Sequence, residues 1–233
     1  MPVGKRIYLK RELPDPELVQ KFKEIPGANI ADTMGRSCAM NPRIRLVSQP
    51  KSPIAVGVAL TVKGRAGDNL ALHSALNIAK EGDFIVVSNE SDDTRALMGM
   101  IMMSYLCEYK KIAGIILDGP IRDIDEIRCL DFPVYATGTT PGGPYKEGPG
   151  EVNVPISCGE VSINPGDIIV ADSDGVIVIP KKDAAEILVE AEKLQATDAA
   201  KVIESGKGTV NRSWVEKTLV EKGFEIIEDI YRG

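Results

Sequence analysis

Residues 54–62 are almost wholly apolar, with β-branched and small side chains, the pattern of a strand buried on both faces rather than one with a wet side. Similar apolar runs recur at residues 84–88 and 112–117. Between them the spacing turns helical. Residues 70–80 are rich in alanine and leucine behind Gly67-Asp68-Asn69, whose Asp and Asn suit an N-cap. Residues 98–109 form a mostly apolar helix, and a short helix over 123–130 stops before Pro133. Alternating strand and helix predicts an α/β fold with parallel pairing.

Upstream, Pro14-Asp15-Pro16 opens a helix expected to run to about Lys23, and Pro26-Gly27 closes it. Residues 28–34 are short and polar enough for either a loop or a helix start. After Pro141 the glycine and proline clusters at 142–144 and 148–150 introduce closely spaced short strands at 152–156, 161–163, 168–171 and 176–179. Helices follow at 182–204 and 213–221. The chain therefore divides into an N-terminal helical arm, 1–27, an α/β core, 28–180, and a C-terminal helical segment, 181–233. A terminal helix of this kind is expected to pack on a neighbouring subunit.

The net charge of −6, with 28 Lys and Arg scattered along the chain, argues against nucleic acid and for a small molecule or a protein as partner. The 4 cysteines are far apart and form no CxxC, so reduced, mostly buried thiols are expected. The first residues hold no apolar stretch of a signal peptide, and nowhere do about 18 apolar residues run without a charge, so a soluble cytoplasmic protein with no membrane partner is expected. Dinucleotide, P-loop and serine-hydrolase signatures are absent.

The chemistry concentrates where the strand at 112–117 ends in Asp118-Gly119-Pro120-Ile121-Arg122-Asp123. Loops leaving strand ends form the crevice of α/β folds. Arg122 can fork onto a carboxylate and Asp123 can hold a hard cation directly or through water, while Gly119 would permit close approach of a ligand. The same pair also reads as a surface ion pair with Asp123 as a helix N-cap. His73, the single histidine, shares a helix face with Asn69 and can be structural or functional. Asp172-Ser173-Asp174-Gly175 reads first as a hairpin turn.

Gly57–Val62, Gly67–His73, Gly82–Val87, Gly114–Asp123, Lys146–Pro155 and Pro165–Gly175 together resemble the RraA-like family, which includes the 4-hydroxy-4-methyl-2-oxoglutarate and 4-carboxy-4-hydroxy-2-oxoadipate aldolases. The resemblance spans residues 28–220. It implies a swivelling ββα-type α/β domain, assembled as a homotrimer or a dimer of trimers with sites at subunit boundaries. It further implies a divalent-metal-dependent lyase using Mg²⁺ or Mn²⁺ to cleave a 4-hydroxy-2-oxo dicarboxylic acid to pyruvate, with oxaloacetate decarboxylation through the same enolate. On the matching positions Arg122 would bind the pyruvyl carboxylate or keto oxygen, Asp123 would hold the metal, and the backbone from Gly99 through Met100, Ile101 and Met102 would bind substrate.

The resemblance also exposes a departure. The aldolases follow the matching glycine with an acidic residue, where this chain has Met100, and the segment from there to Gly114 is one residue longer. Glu90, Asp92 or Asp93 are the nearby acids that would substitute, and Asp198 is the counterpart of a carboxylate borrowed from a neighbour's C-terminal helix. Loss of the acid leaves open a changed substrate, or a non-catalytic regulator that binds protein in the manner of the family's ribonuclease E inhibitor.

Overall fold

In the computed structural model the apolar runs lie side by side in one sheet, in the order β1 (Arg45–Leu46), β5 (Val134–Ala136), β4 (Gly114–Leu117), β3 (Asp83–Ser88), β2 (Ala55–Gly64), β9 (Ile168–Ala171) and β10 (Val176–Ile179). The structure describes residues 3–233; Met1 and Pro2, where the predicted arm begins, lie outside the described residues. Strands β2 to β5 are parallel, as their alternation with helices requires, and the remaining pairings are antiparallel. Strand β2 forks. Its first half pairs with β9, and its last residues pair with β6 (Gly150–Val152).

Side chains alternate across this sheet. Phe84, Val86, Ile116, Tyr135, Ile169, Ala171, Val176 and Val178 share one face, covered by the hairpin β7 (Ile156–Cys158) and β8 (Val161–Ile163). On the other face Leu60, Val62, Ile85, Val87, Ile115 and Leu117 pack under α3 (Leu70–Ile78) and α4 (Met100–Ser104). Beside them Val56, Ile168, Val170, Ile177 and Ile179 pack under α1 (Pro16–Lys21), α2 (Gly27–Thr33) and the start of α6 (Ala184–Gly206). The mixed α/β class is as expected.

Several elements differ in detail. Residues 28–33 are helical, as part of α2, with the amide of Gly27 bound by Asp172 Oδ2 at 2.9 Å. The run predicted as one strand at 152–156 is two, because Asn153 turns through a left-handed φ of 56°. Strands β1 and β5 were not foreseen; both are too short to show a period. Asp172–Gly175 makes the β9–β10 hairpin turn, its Asp172 Oδ1 accepting from the amides of Asp174 and Gly175. The helix from Met100 widens into a π-helix at Tyr105–Lys110. A π turn uses one more residue than an α turn, so this stretch has room for one residue more than an α-helix of the same length. All four cysteines are free, with Cys38 and Cys158 buried, Cys107 half-buried and Cys129 exposed.

One compact unit ends at Lys193, inside α6; the second, Leu194–Gly233, holds the rest of that helix and α7 (Trp214–Glu221). In this second unit α7 buries no side chain, and Val202, Trp214, Phe224, Ile227, Ile230 and Tyr231 are exposed. Among the described residues no helix is long and apolar enough to cross a membrane.

Candidate functional site

Strand β4 delivers Asp118 into the fold and Arg122 to its edge. Asp118 is buried, ion-paired with Arg43 and accepting from the Gly159 amide at 3.2 Å, so it anchors the loop rather than facing a ligand. Gly119 is likewise filled by protein: a Cβ there would meet Asn89 Nδ2 at 2.7 Å and Leu97 Cδ1 at 3.1 Å. Its lack of a side chain serves packing, not the ligand approach expected of it. The chain then runs beside residues 96–98, with Leu97 N–H donating to Pro120 C=O at 2.9 Å and Arg122 N–H to Met98 C=O at 3.0 Å. This short ladder sets Gly99 against the Arg122-Asp123 corner.

Asp123 occupies the N-cap position of α5 (Ile124–Ile127) but does not cap it. Its backbone is left-handed, φ 61°, and its Oδ2 accepts instead from the Met100 amide at 2.9 Å. A non-glycine residue held there is a local strain of the kind found at functional sites. Arg122 Nε stands 3.8 Å from Asp123 Oδ2, with both side chains more than a third exposed. So open an ion pair adds little to stability.

These residues line a cavity of about 280 Å³ together with Asn69, His73, Leu97, Met98, Gly99, Ile101, Met102, Gly143, Pro144 and Lys146. The Met100 side chain is absent from that lining and packs against the core under the sheet, so its contribution is the amide held by Asp123. The four-residue spacing that puts Asn69 and His73 on one helix face brings both to the cavity, whereas Lys146, on a distant loop, carried no signal in the sequence. Asn69 holds the N-cap position of α3 but its side chain does not cap the helix; Asp68 Oδ1 takes the Leu70 amide, and Asn69 Nδ2 donates to Leu97 C=O at 2.8 Å. Asn69 Oδ1 is buried with no partner. Burial, joined by the Lys146 charge, holds the His73 imidazole below its ordinary value.

Lys146 is presented by a loop tied at both ends. Asp68 Oδ2 accepts from the amides of Glu147 at 2.7 Å and Gly148 at 2.9 Å. Arg95 donates to Gly143 C=O at 2.9 Å and lies 4.0 Å over the Tyr145 ring. Burial opposes ionisation of Asp68, yet the amides of Leu70, Glu147 and Gly148 and the Arg65 charge outweigh it and hold the carboxyl below its ordinary range. Neither Glu90, Asp92 nor Asp93 lines the cavity: Asp92 is bound by Thr94 Oγ1 at 2.8 Å and Asp93 by Thr137 Oγ1 at 2.5 Å. Asp123 is thus the single carboxylate of the lining.

No group of three His, Cys, Asp or Glu side chains gathers among the described residues. One exposed carboxylate in the same cavity as the orphaned Asn69 carbonyl oxygen is instead a donor set that fits a hard, hydrated cation, since Mg²⁺ keeps most of its waters and takes one or two carboxylates.

The Aldolase/RraA model of the RraA-like family matches residues 27–178. A protein of Halalkalibacterium halodurans named "Putative 4-hydroxy-4-methyl-2-oxoglutarate aldolase" is 40% identical over 185 residues, covering 79% of this chain and 87% of the relative. The crystal structure of Streptomyces coelicolor RraAS2, described as an unusual member of the RNase ES inhibitor RraA protein family, aligns with a TM-score of 0.72 at 26% identity, over 82% of this chain and 99% of that one. An uncharacterized protein from Pseudomonas syringae pv. tomato shares the fold, with a TM-score of 0.73 at 22% identity over 85% and 96% of the two chains.

Proposed function

The chain belongs to the RraA-like family, and from that premise we propose that it is a divalent-metal-dependent carbon–carbon lyase. It cleaves a 4-hydroxy-2-oxo dicarboxylic acid such as 4-hydroxy-4-methyl-2-oxoglutarate to pyruvate, and decarboxylates oxaloacetate through the same enolate. The observation that carries this reading is the convergence of Arg122, Lys146, His73 and Asp123 on one cavity. A retro-aldol cleavage takes the proton from the 4-hydroxyl, breaks the C3–C4 bond and leaves the electron pair as pyruvate enolate, which is protonated at C3. Arg122 forks onto the pyruvyl carboxylate and 2-oxo oxygen, where negative charge grows, and Lys146 adds a second fixed cation. His73, neutral at pH 7, takes up the 4-hydroxyl proton and returns one at C3. Asp123 would hold Mg²⁺ or Mn²⁺, and when bound the ion would supply positive charge that favours the enolate.

The test is pyruvate release from 4-hydroxy-4-methyl-2-oxoglutarate and from oxaloacetate, with Mg²⁺ or Mn²⁺ and with chelator. Chelator-sensitive release, lowered about 100- to 1,000-fold by Arg122→Ala in a protein with unchanged circular dichroism, is expected, because one preorganised donor is worth that order. Retained turnover in Arg122→Ala would sink the proposal. A second reading, a protein-binding regulator, is favoured by Met100 in place of the acid and by the likeness to RraAS2. It predicts no pyruvate release and a stoichiometric partner in pulldown.

A further inference from the structure

We propose a second ligand site, for a small organic anion that carries a hydroxyl beside its charged group, in a cavity of about 760 Å³ between the N-terminal arm and the segments that follow β6, precede β9 and follow β10. The cavity shares no lining residue with the Arg122 site. It lies where β3 begins, whereas Arg122 follows the far end of β4, the strand parallel to it.

Two buried groups at this cavity lack partners of opposite kind. Arg11 is nine-tenths buried with Nη2 on the Asp83 carboxylate, and its Nε donates to nothing. Asn153 is 8% exposed, gives Nδ2 to Tyr8 C=O at 2.8 Å, and leaves Oδ1 without a donor. Its φ of 56° is a conformation the chain maintains against strain. A buried orphan donor and a buried orphan acceptor are each destabilising, and together they specify what a ligand has to bring: an acceptor for the guanidinium and a hydrogen for the amide oxygen.

Charge points the same way. The lining holds five Lys and Arg against two carboxylates in a chain of net charge −6. Both carboxylates are engaged, Asp167 by the amides of Asn164 and Lys181, and Glu12 by Lys181 Nζ at 3.2 Å. Asp83 and Glu151 behind the wall neutralise Arg11 and Arg6, and Asp167 keeps its charge, so a net surplus of one positive charge remains, carried by Lys10 and Lys182, which enter no ion pair among the described residues. A carboxylate or a phosphate ester meets those lysines and Arg11 alike, and a neighbouring hydroxyl meets Asn153.

Calorimetric titration of the full chain tests this with malate and glycerol 3-phosphate as probes and succinate and inorganic phosphate as their counterparts lacking the hydroxyl. Titrations are run in the Arg122→Ala background as well, which separates this site from the lyase site. At least one hydroxylated probe is expected to bind about tenfold more tightly than its counterpart, the order of one hydrogen bond to a buried group, and equally in both backgrounds. Which of the two binds identifies the anion as carboxylate or phosphoryl. The exposed pair Lys10→Ala and Lys182→Ala is expected to weaken binding about tenfold without unfolding the chain, and Asn153→Gly, which keeps the positive φ, to abolish the preference for the hydroxyl. Absence of binding by all probes at millimolar concentration, loss of binding in Arg122→Ala, or indifference to the lysine substitutions would each overturn the proposal.

Discussion

A Cβ at position 99 would stand 2.2 Å from Asp123 Oδ2 and 2.9 Å from Arg122 Cγ, so glycine is required there by space. Backbone angle is not the reason, since its φ of −142° suits any residue. Gly99→Ala must push the Arg122-Asp123 corner away, and a displacement of that size costs about 100-fold in turnover with the fold retained. Steady-state kinetics beside a thermal melt check it; unchanged kcat would remove the corner from the chemistry. His73 carries a pH signature. Its folded value lies below the ordinary 6.5, so the unfolded chain binds the proton more readily. Its contribution to stability is therefore present above pH 6.5 and is lost as pH falls through the folded value. Urea unfolding of wild type and His73→Gln at pH 7.5 and pH 5 is expected to show a smaller drop in the variant.

At the scale of elements, the loop carrying Lys146 is held by Asp68, a buried carboxylate that also caps α3 through the Leu70 amide. Asp68→Ala leaves three amides without their acceptor and is expected to cost about 1–3 kcal/mol in denaturant unfolding. The same variant is expected to raise KM for the keto acid, because Lys146 loses its position; an unchanged KM would show that Lys146 is not a substrate contact. The π-helix at Tyr105–Lys110 acts at this scale too. It places one more residue per turn between Gly99 and Gly114 than an α-helix would.

The whole molecule presents an acidic chain with a C-terminal unit whose apolar side chains, Trp214, Phe224, Ile227 and Tyr231 among them, face solvent in one copy. Exposed apolar groups in that number mark an association surface. Light scattering is expected to give three or six times the chain mass, and Phe224→Ser with Ile227→Ser and Tyr231→Ser to lower it; a monomeric wild type would refute this. The sheet was legible because the buried runs at 54–62, 84–88 and 112–117 are long or apolar enough to reveal strands without their partners. Arg122 and Asp123 were legible because a Gly-Pro turn at a strand end marks a loop by local chemistry alone. The short strands β1 and β5 were not, since two or three residues have no period and become strands only by pairing. Nor was the setting of the corner: whether Asp123 caps its own helix or reaches the Met100 amide, and whether Asp92 or Asn69 shares its cavity, depends on which distant loops the sheet brings together. Sequence by itself determined the order of the longer elements and the residues able to do chemistry, because both follow from local propensity and side-chain type. Only the tertiary structure decided which of those residues meet, because contact between loops about 50 residues apart is set by strand order and packing, which no local pattern encodes.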